Sequence, residues 1–175
     1  MTTSNDPASP PDERELVITH IFDAPRELVW QAFTESDGLA RWWGPAGFTM
    51  LVHTLDLRPG GVFHYSMRSP DGHVMWGRFV YRDIQPSERI VFVSSFSDDT
   101  CAITRAPFSA TWPLEILNAV TLTEHHGKTT VTLRGGPLNA TDEERDTFWS
   151  AEDSVRKGFA GTLSQLAAYL AGQVD

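Results

Sequence analysis

Apolar residues fall at helical spacing in one long segment near the end of the chain. Through most of the rest they fall at alternate positions. Between Thr141 and Gly172, Phe148, Val155, Phe159, Leu163, Leu166 and Leu170 recur at spacings of seven, four, four, three and four. That is one face of a helix with a 3.6-residue period. Thr141 with Glu144 three residues on is a capping box, and Asp142, Glu143 and Glu144 suit the positive end of the helix dipole. No proline interrupts the segment. The pattern therefore predicts one continuous helix of about 30 residues, a rod of roughly 45 Å. Beside the apolar stripe runs a strip of small residues, Ala151, Ser154, Gly158 and Gly161. A glycine in a helix interior costs about 1 kcal/mol relative to alanine. Two so close together imply either close packing against a sheet or room for a ligand under the helix.

Upstream, Leu16 to Phe22 reads as a strand, stopped by Asp23-Ala24-Pro25. A short helix follows, with Leu28, Val29, Ala32 and Phe33 inward and a break at Ser36-Asp37-Gly38. Leu39 to Trp43 reads as a second short helix, ended by Gly44-Pro45. From Phe48 the period changes to two. Strands are predicted at about 47–56, 61–69, 73–84 and 88–96, joined by turns at Pro59-Gly60-Gly61, Pro70-Asp71-Gly72 and Pro86-Ser87. Two more follow at 114–124 and 128–134, with His125-His126-Gly127 as the hairpin turn and Gly135-Gly136-Pro137 ending the sheet. Seven strands with short connections and one terminal helix predict an α+β fold, a curved antiparallel sheet wrapped around the helix. The chain is read as a polar, proline-bearing disordered tail over 1–13 and a single domain over 14–172.

Composition narrows the functional classes. Fourteen basic against 23 acidic residues give a net charge of −9. That disfavours nucleic-acid and anionic-membrane partners, which need clustered Lys and Arg. The lone Cys101 allows no intrachain disulfide, and no basic-then-apolar leader precedes the first strand, so a cytoplasmic location is expected. His53, His64 and His73 lie on separate strands or turns and show no ligand spacing, so no metal is expected, nor any cofactor. Neither a Gly-x-Ser-x-Gly elbow nor a cysteine signature is present, which leans the reading away from an enzyme. The segment from Ser97 to Pro113 has no period. It reads first as a mobile connection and otherwise as a cover over one mouth of the fold.

Asp23-Ala24-Pro25 with Val29-Trp30, Arg41-Trp42-Trp43-Gly44-Pro45 with Gly47-Phe48, and Asp56-Leu57-Arg58-Pro59-Gly60-Gly61 resemble the SRPBCC (START-like) superfamily. Within it they are similar to the branch of the C-terminal domain of the activator of the heat-shock chaperone ATPase. Gly158-Phe159 with Leu163 and Leu166 resembles that branch's Gly-Trp and Leu ending, with Phe for Trp. The resemblance spans about residues 14–172. It implies a helix-grip fold with a hydrophobic cavity between sheet and C-terminal helix. It also implies a choice among lipid or hormone carriage, chaperone activation and cyclase-like chemistry.

Strand alternation supplies candidate lining residues. Phe63, Tyr65 and Met67 share one face of their strand, and Met75, Phe79 and Tyr81 one face of the next. These faces are the richer in large apolar groups and are expected inward, leaving Trp76 and Arg78 outward unless the 97–113 segment covers them. Trp42 and Trp43 diverge by about 100° on a helix, so only one can point straight in. Val155 and Phe159 come from the helix stripe. Glu152 falls on that stripe too, where it would either reach solvent or sit in the pocket with a raised pKa. The expected function is a small-molecule binding protein that holds an apolar or aromatic ligand in this cavity. The alternatives are a module that modulates a chaperone ATPase, and a cyclase- or hydrolase-like enzyme using the same cavity. As a molecule it is expected to be a monomer or homodimer.

Overall fold

The computed structural model describes residues 14–173, so the expected tail over 1–13 lies outside the described residues. The elements are β1 (Leu16–Phe22), α1 (Arg26–Thr34), α2 (Ser36–Trp42), β2 (Thr49–Leu55), β3 (Val62–Arg68), β4 (Val74–Gln85), β5 (Arg89–Ser97), β6 (Ile116–His125), β7 (Lys128–Pro137), α3 (Asp142–Ser150) and α4 (Glu152–Ala171). The seven strands form one sheet in the order β1-β7-β6-β5-β4-β3-β2, and every neighbouring pair is antiparallel. This is the α+β plan that the alternation predicts and the helix-grip architecture that the resemblance implies.

Three boundaries differ from the sequence reading. The predicted single rod is two helices. Ala151 has φ −97° and ψ 12°, and its N–H bonds to Phe148 O, three residues back. That torsion interrupts the ladder of i→i−4 bonds, so α4 runs for 20 residues, about 30 Å. Apolar periodicity cannot show this break, because Ala151 is an ordinary helix former. Ser36-Asp37-Gly38 does not break a helix but opens α2. The chain turns instead at Glu35, which is extended at φ −106° and ψ 138°. Gly135-Gly136-Pro137 does not end the sheet but lies within β7. There a Cβ on Gly135 would stand 2.0 Å from Leu117 O, so only glycine lets β6 and β7 pair closely.

The core lies on the concave face of the sheet. Phe63, Phe79, Tyr81 and Phe92 project from the strands toward Leu163, Leu166 and Leu170 of α4. Helices α1 and α2 close the same end. Trp42 is 1% exposed, and its Nε1 donates to Ala32 O at 2.8 Å, which satisfies the indole inside the core. Thr162 Oγ1 and Gln165 Nε2 both donate to Gly44 O, at 3.2 and 2.7 Å, tying α4 to the turn after α2.

Gly77 of β4 sits directly beneath the Tyr65 ring, and an added Cβ would meet its hydroxyl oxygen at 2.5 Å. Gly77→Ala is therefore expected to destabilise the fold by about 1–3 kcal/mol through overpacking. The test is the urea midpoint at unchanged m-value. An unshifted midpoint would mean that the ring has room to move aside.

Candidate functional site

The C-terminal half of α4 packs tightly on the core. Its N-terminal half is tied to the edge strand β1 through Arg156 but stands away from the central strands. Between that half, the sheet and the 98–115 segment lie three adjoining compartments. One of about 140 Å³ lies over Gly77 and Phe79. A second, of about 170 Å³, lies between β1, β6, β7 and α4, beside Leu16, Ile18 and Asn118. The third is a cleft of about 430 Å³ between α4 and the turn after α2. Tyr65 and Met67 border the first and the third, Val155 and Phe159 the second and the third, and Ser94 and Trp112 the first and the second. Together they reach the size of a small-molecule pocket. The walls are mostly aromatic and aliphatic. No carboxylate lines them among the described residues, and the cations are Arg134 and Lys157.

Of the strip of small residues, Gly158 and Gly161 border the largest of the three compartments, and both are exposed at its rim. A Cβ at Gly158 or at Gly161 would meet nothing within 4 Å. Both glycines border the cleft instead of packing against the sheet. Close packing is therefore not their role.

The candidates from the sequence separate into groups. Trp43, Tyr65, Met67, Phe79, Val155 and Phe159 border the compartments. The Trp43 ring stands edge-on to Phe79 at 5.2 Å and to Phe159 at 6.4 Å, so it bridges sheet and helix. Trp42, Phe63 and Tyr81 are 1%, 0% and 2% exposed and belong to the packed core. Met75 lies at a separate shallow pocket with Thr104 and Pro107. Glu152 is bonded to Arg14 at 2.7 Å and Arg156 at 2.9 Å. Its carboxyl is held below the usual range by hydrogen bonds from Arg156 and Arg14, so the raised pKa that a pocket carboxyl would show is not found. Arg156 also donates to Val17 O at 2.9 Å, so the cluster ties α4 to β1.

Tyr65 is the buried hydroxyl of the wall. Burial pushes its pKa up to about 12, opposed in part by a hydrogen bond from the Trp43 side chain. It stays neutral at physiological pH.

The Trp76 and Arg78 side chains lie on the opposite face of β4 from Phe79, Trp76 against two histidines of β2 and β3 and Arg78 beneath the 98–115 segment. Trp76 stacks on His64 at 5.1 Å and lies 4.6 Å from His53. Arg78 Nη1 donates to Cys101 O at 2.9 Å. The same segment passes over the ends of the central strands to the cavity side. There Trp112 packs on Phe148 at 5.3 Å, Thr111 Oγ1 bonds to Thr147 Oγ1 at 2.8 Å, and Arg105 pairs with Glu144. It is thus a cover clipped to α3, with Trp112 as a wall. Sequence reasoning missed Trp112 because the segment has no period. It also missed Ser94 and Asn118, although each is a polar break in an apolar alternation, Ile90-Phe92-Ser94-Phe96 and Ile116-Asn118-Val120-Leu122.

A curved antiparallel sheet closed by a helix over an apolar cavity defines a helix-grip domain of the SRPBCC type. Residues 23–171 match the family model described as activator of Hsp90 ATPase homolog 1-like protein, and the chain belongs to that family. No curated protein matches it. Among solved structures, protein Ms6760 from Mycobacterium smegmatis is similar at 29% identity and a TM-score of 0.73, over 89% of this chain and 90% of that one. A protein from Arthrobacter aurescens shares the fold at a TM-score of 0.77 and 23% identity, over 90% and 86%. The AHSA1 protein from Silicibacter pomeroyi shares it at 0.69 and 18%, over 92% and 100%. No helix among the described residues is long and apolar enough to cross a membrane.

The clip carries a pH signature. Glu144 is buried, its hydrogen bond from Arg105 lowers its pKa most, and the capping box with Thr141 adds to this. A carboxyl depressed in the folded state stabilises the fold fully above its unfolded pKa of about 4.3 and loses that contribution as pH falls through its folded value. Because Arg105 is about half exposed, the contribution is below roughly 1 kcal/mol. Glu144→Gln keeps the capping geometry without the charge. Urea titrations between about pH 6 and about pH 3 are expected to show the wild type losing more stability than the variant. Parallel losses would contradict the assignment.

Proposed function

We propose that this protein is a small-molecule binding protein that holds an apolar or aromatic ligand between the sheet and α4. The observation that carries this reading is the glycine pair. Gly158 and Gly161 weaken α4 and contact nothing at their missing side chains, yet they border the 430 Å³ cleft. Both are exposed at the rim, so their lack of side chains leaves the mouth of the cleft open to a ligand at a cost of about 1 kcal/mol each. The enclosing aromatic rings, and the absence of a carboxylate among the described lining residues, favour an uncharged apolar occupant.

Gly158→Leu tests this directly. The side chain enters open space, and leucine is the better helix former by about 1 kcal/mol. The variant is expected to fold with an equal or higher Tm and to bind the neutral dye Nile red at least about tenfold more weakly than the wild type. Equal affinity in a folded variant would remove this reading.

The family match supports a second reading, a module that modulates a chaperone ATPase. It predicts a changed rate of ATP hydrolysis when the pure protein is added to an Hsp90-type chaperone. An unchanged rate would exclude it.

A further inference from the structure

Besides the Tyr65 hydroxyl, two polar side chains stand inside the mostly apolar cavity, on neighbouring central strands. Ser94 of β5 lies opposite Ile116 of β6, and Asn118 lies opposite Phe92, so both project from the concave face. Both border the cavity, and Ser94 is shared by two of its compartments. Asn118 Nδ2 donates to Ile116 O and to Ser94 Oγ, each at 3.0 Å. A backbone carbonyl can only accept, so this bond fixes which end of the Asn118 amide is nitrogen.

Both N–H groups of Asn118 are then used. Its Oδ1 receives no hydrogen bond from any described residue. The Ser94 oxygen accepts from Asn118, which leaves its own O–H to donate, and no described residue accepts it. The pair therefore presents one acceptor and one donor side by side to the cavity. Both residues are only partly buried, so the open acceptor and donor can be reached from the cavity.

We propose that Ser94 and Asn118 are the specificity element of the cavity and read one hydroxyl group on a neutral aromatic ligand. This rests on the reading of the cavity as a ligand site. A single hydroxyl oxygen accepts from Ser94 Oγ–H and donates to Asn118 Oδ1, which meets both open positions at once. A carboxylate or phenolate finds no comparable partner. The Arg134 guanidinium is bonded to Glu15 at 2.9 Å, and Lys157 is exposed on α4. An anion at the pair would lie beside the Asn118 carbonyl oxygen without a dedicated counter-charge.

The test is equilibrium dialysis with β-naphthol and its isostere β-methylnaphthalene, in which a methyl group replaces the hydroxyl. Wild type is expected to bind β-naphthol at least about tenfold more tightly, as two neutral hydrogen bonds provide. Ser94→Ala and Asn118→Leu are each expected to bring the two affinities toward parity while retaining β-methylnaphthalene. Circular dichroism checks both folds, and Ser94→Ala, which removes one oxygen, decides the matter if Asn118→Leu does not fold. Equal affinity of wild type for both compounds, with binding weakened by Gly158→Leu, would overturn the role of the pair and leave the cavity standing. So would a tenfold preference that survives in Ser94→Ala. Binding of neither compound would overturn the ligand cavity itself and this inference with it.

Discussion

The cavity follows from how α4 is held, packed on the core along its C-terminal half and tied only to the edge strand β1 at its start. Leu163, Leu166 and Leu170 are 2%, 0% and 3% exposed, and they fix the C-terminal half of the helix on the concave sheet. Two hydrogen bonds to Gly44 O fix its azimuth. A straight helix anchored there cannot follow a twisted sheet along its whole length. The N-terminal half therefore stands away from the central strands, and Val155 and Phe159 are only partly buried. The space left is the cavity. The break at Ala151 belongs to the same geometry, because it lets α3 leave the line of α4 and carry Phe148 down onto Trp112.

Closure of that space depends on residues far apart in the chain. Trp43 comes from the end of α2, Trp112 from the 98–115 cover, and Phe159 from α4. The cover is held on both faces of the sheet. His64 Nε2 and Arg78 grip the backbone at Asp98 and Cys101 on the outer face, while Arg105 and Thr111 bond to α3 on the cavity side. The walls are apolar, Tyr65 stays neutral, and the open donor and acceptor of the cavity floor sit together at Ser94 and Asn118. On the proposed reading, this arrangement recognises a ligand by its shape and one hydroxyl.

The antiparallel strands and the inward faces of β3 and β4 were legible in the sequence, because alternation has a single period and Phe63, Tyr65, Phe79 and Tyr81 obey it, whereas the pairing of β1 with β7 was not. The capping box at Thr141 was legible for the same local reason. The break at Ala151 was not, since its cause is the tertiary pull on Phe148 and not the propensity of alanine. Glu152 was misleading. Its place on the apolar stripe said nothing of Arg14, which lies 138 residues away and draws it to the surface. Trp112 was hidden in a segment whose conformation is set by contacts with α3 and not by its own pattern. Ser94 and Asn118 were visible as exceptions to alternation, but an exception acquires meaning only when two strands bring two of them together.

The most direct measurement of the central claim is a crystal structure of the protein under xenon pressure. Xenon enters apolar cavities that water leaves empty. The account predicts xenon between Phe159, Trp43 and the sheet, beneath Gly158. Ordered water filling that space, or side chains closing it, would contradict the claim that α4 stands off the central strands to keep an apolar ligand volume.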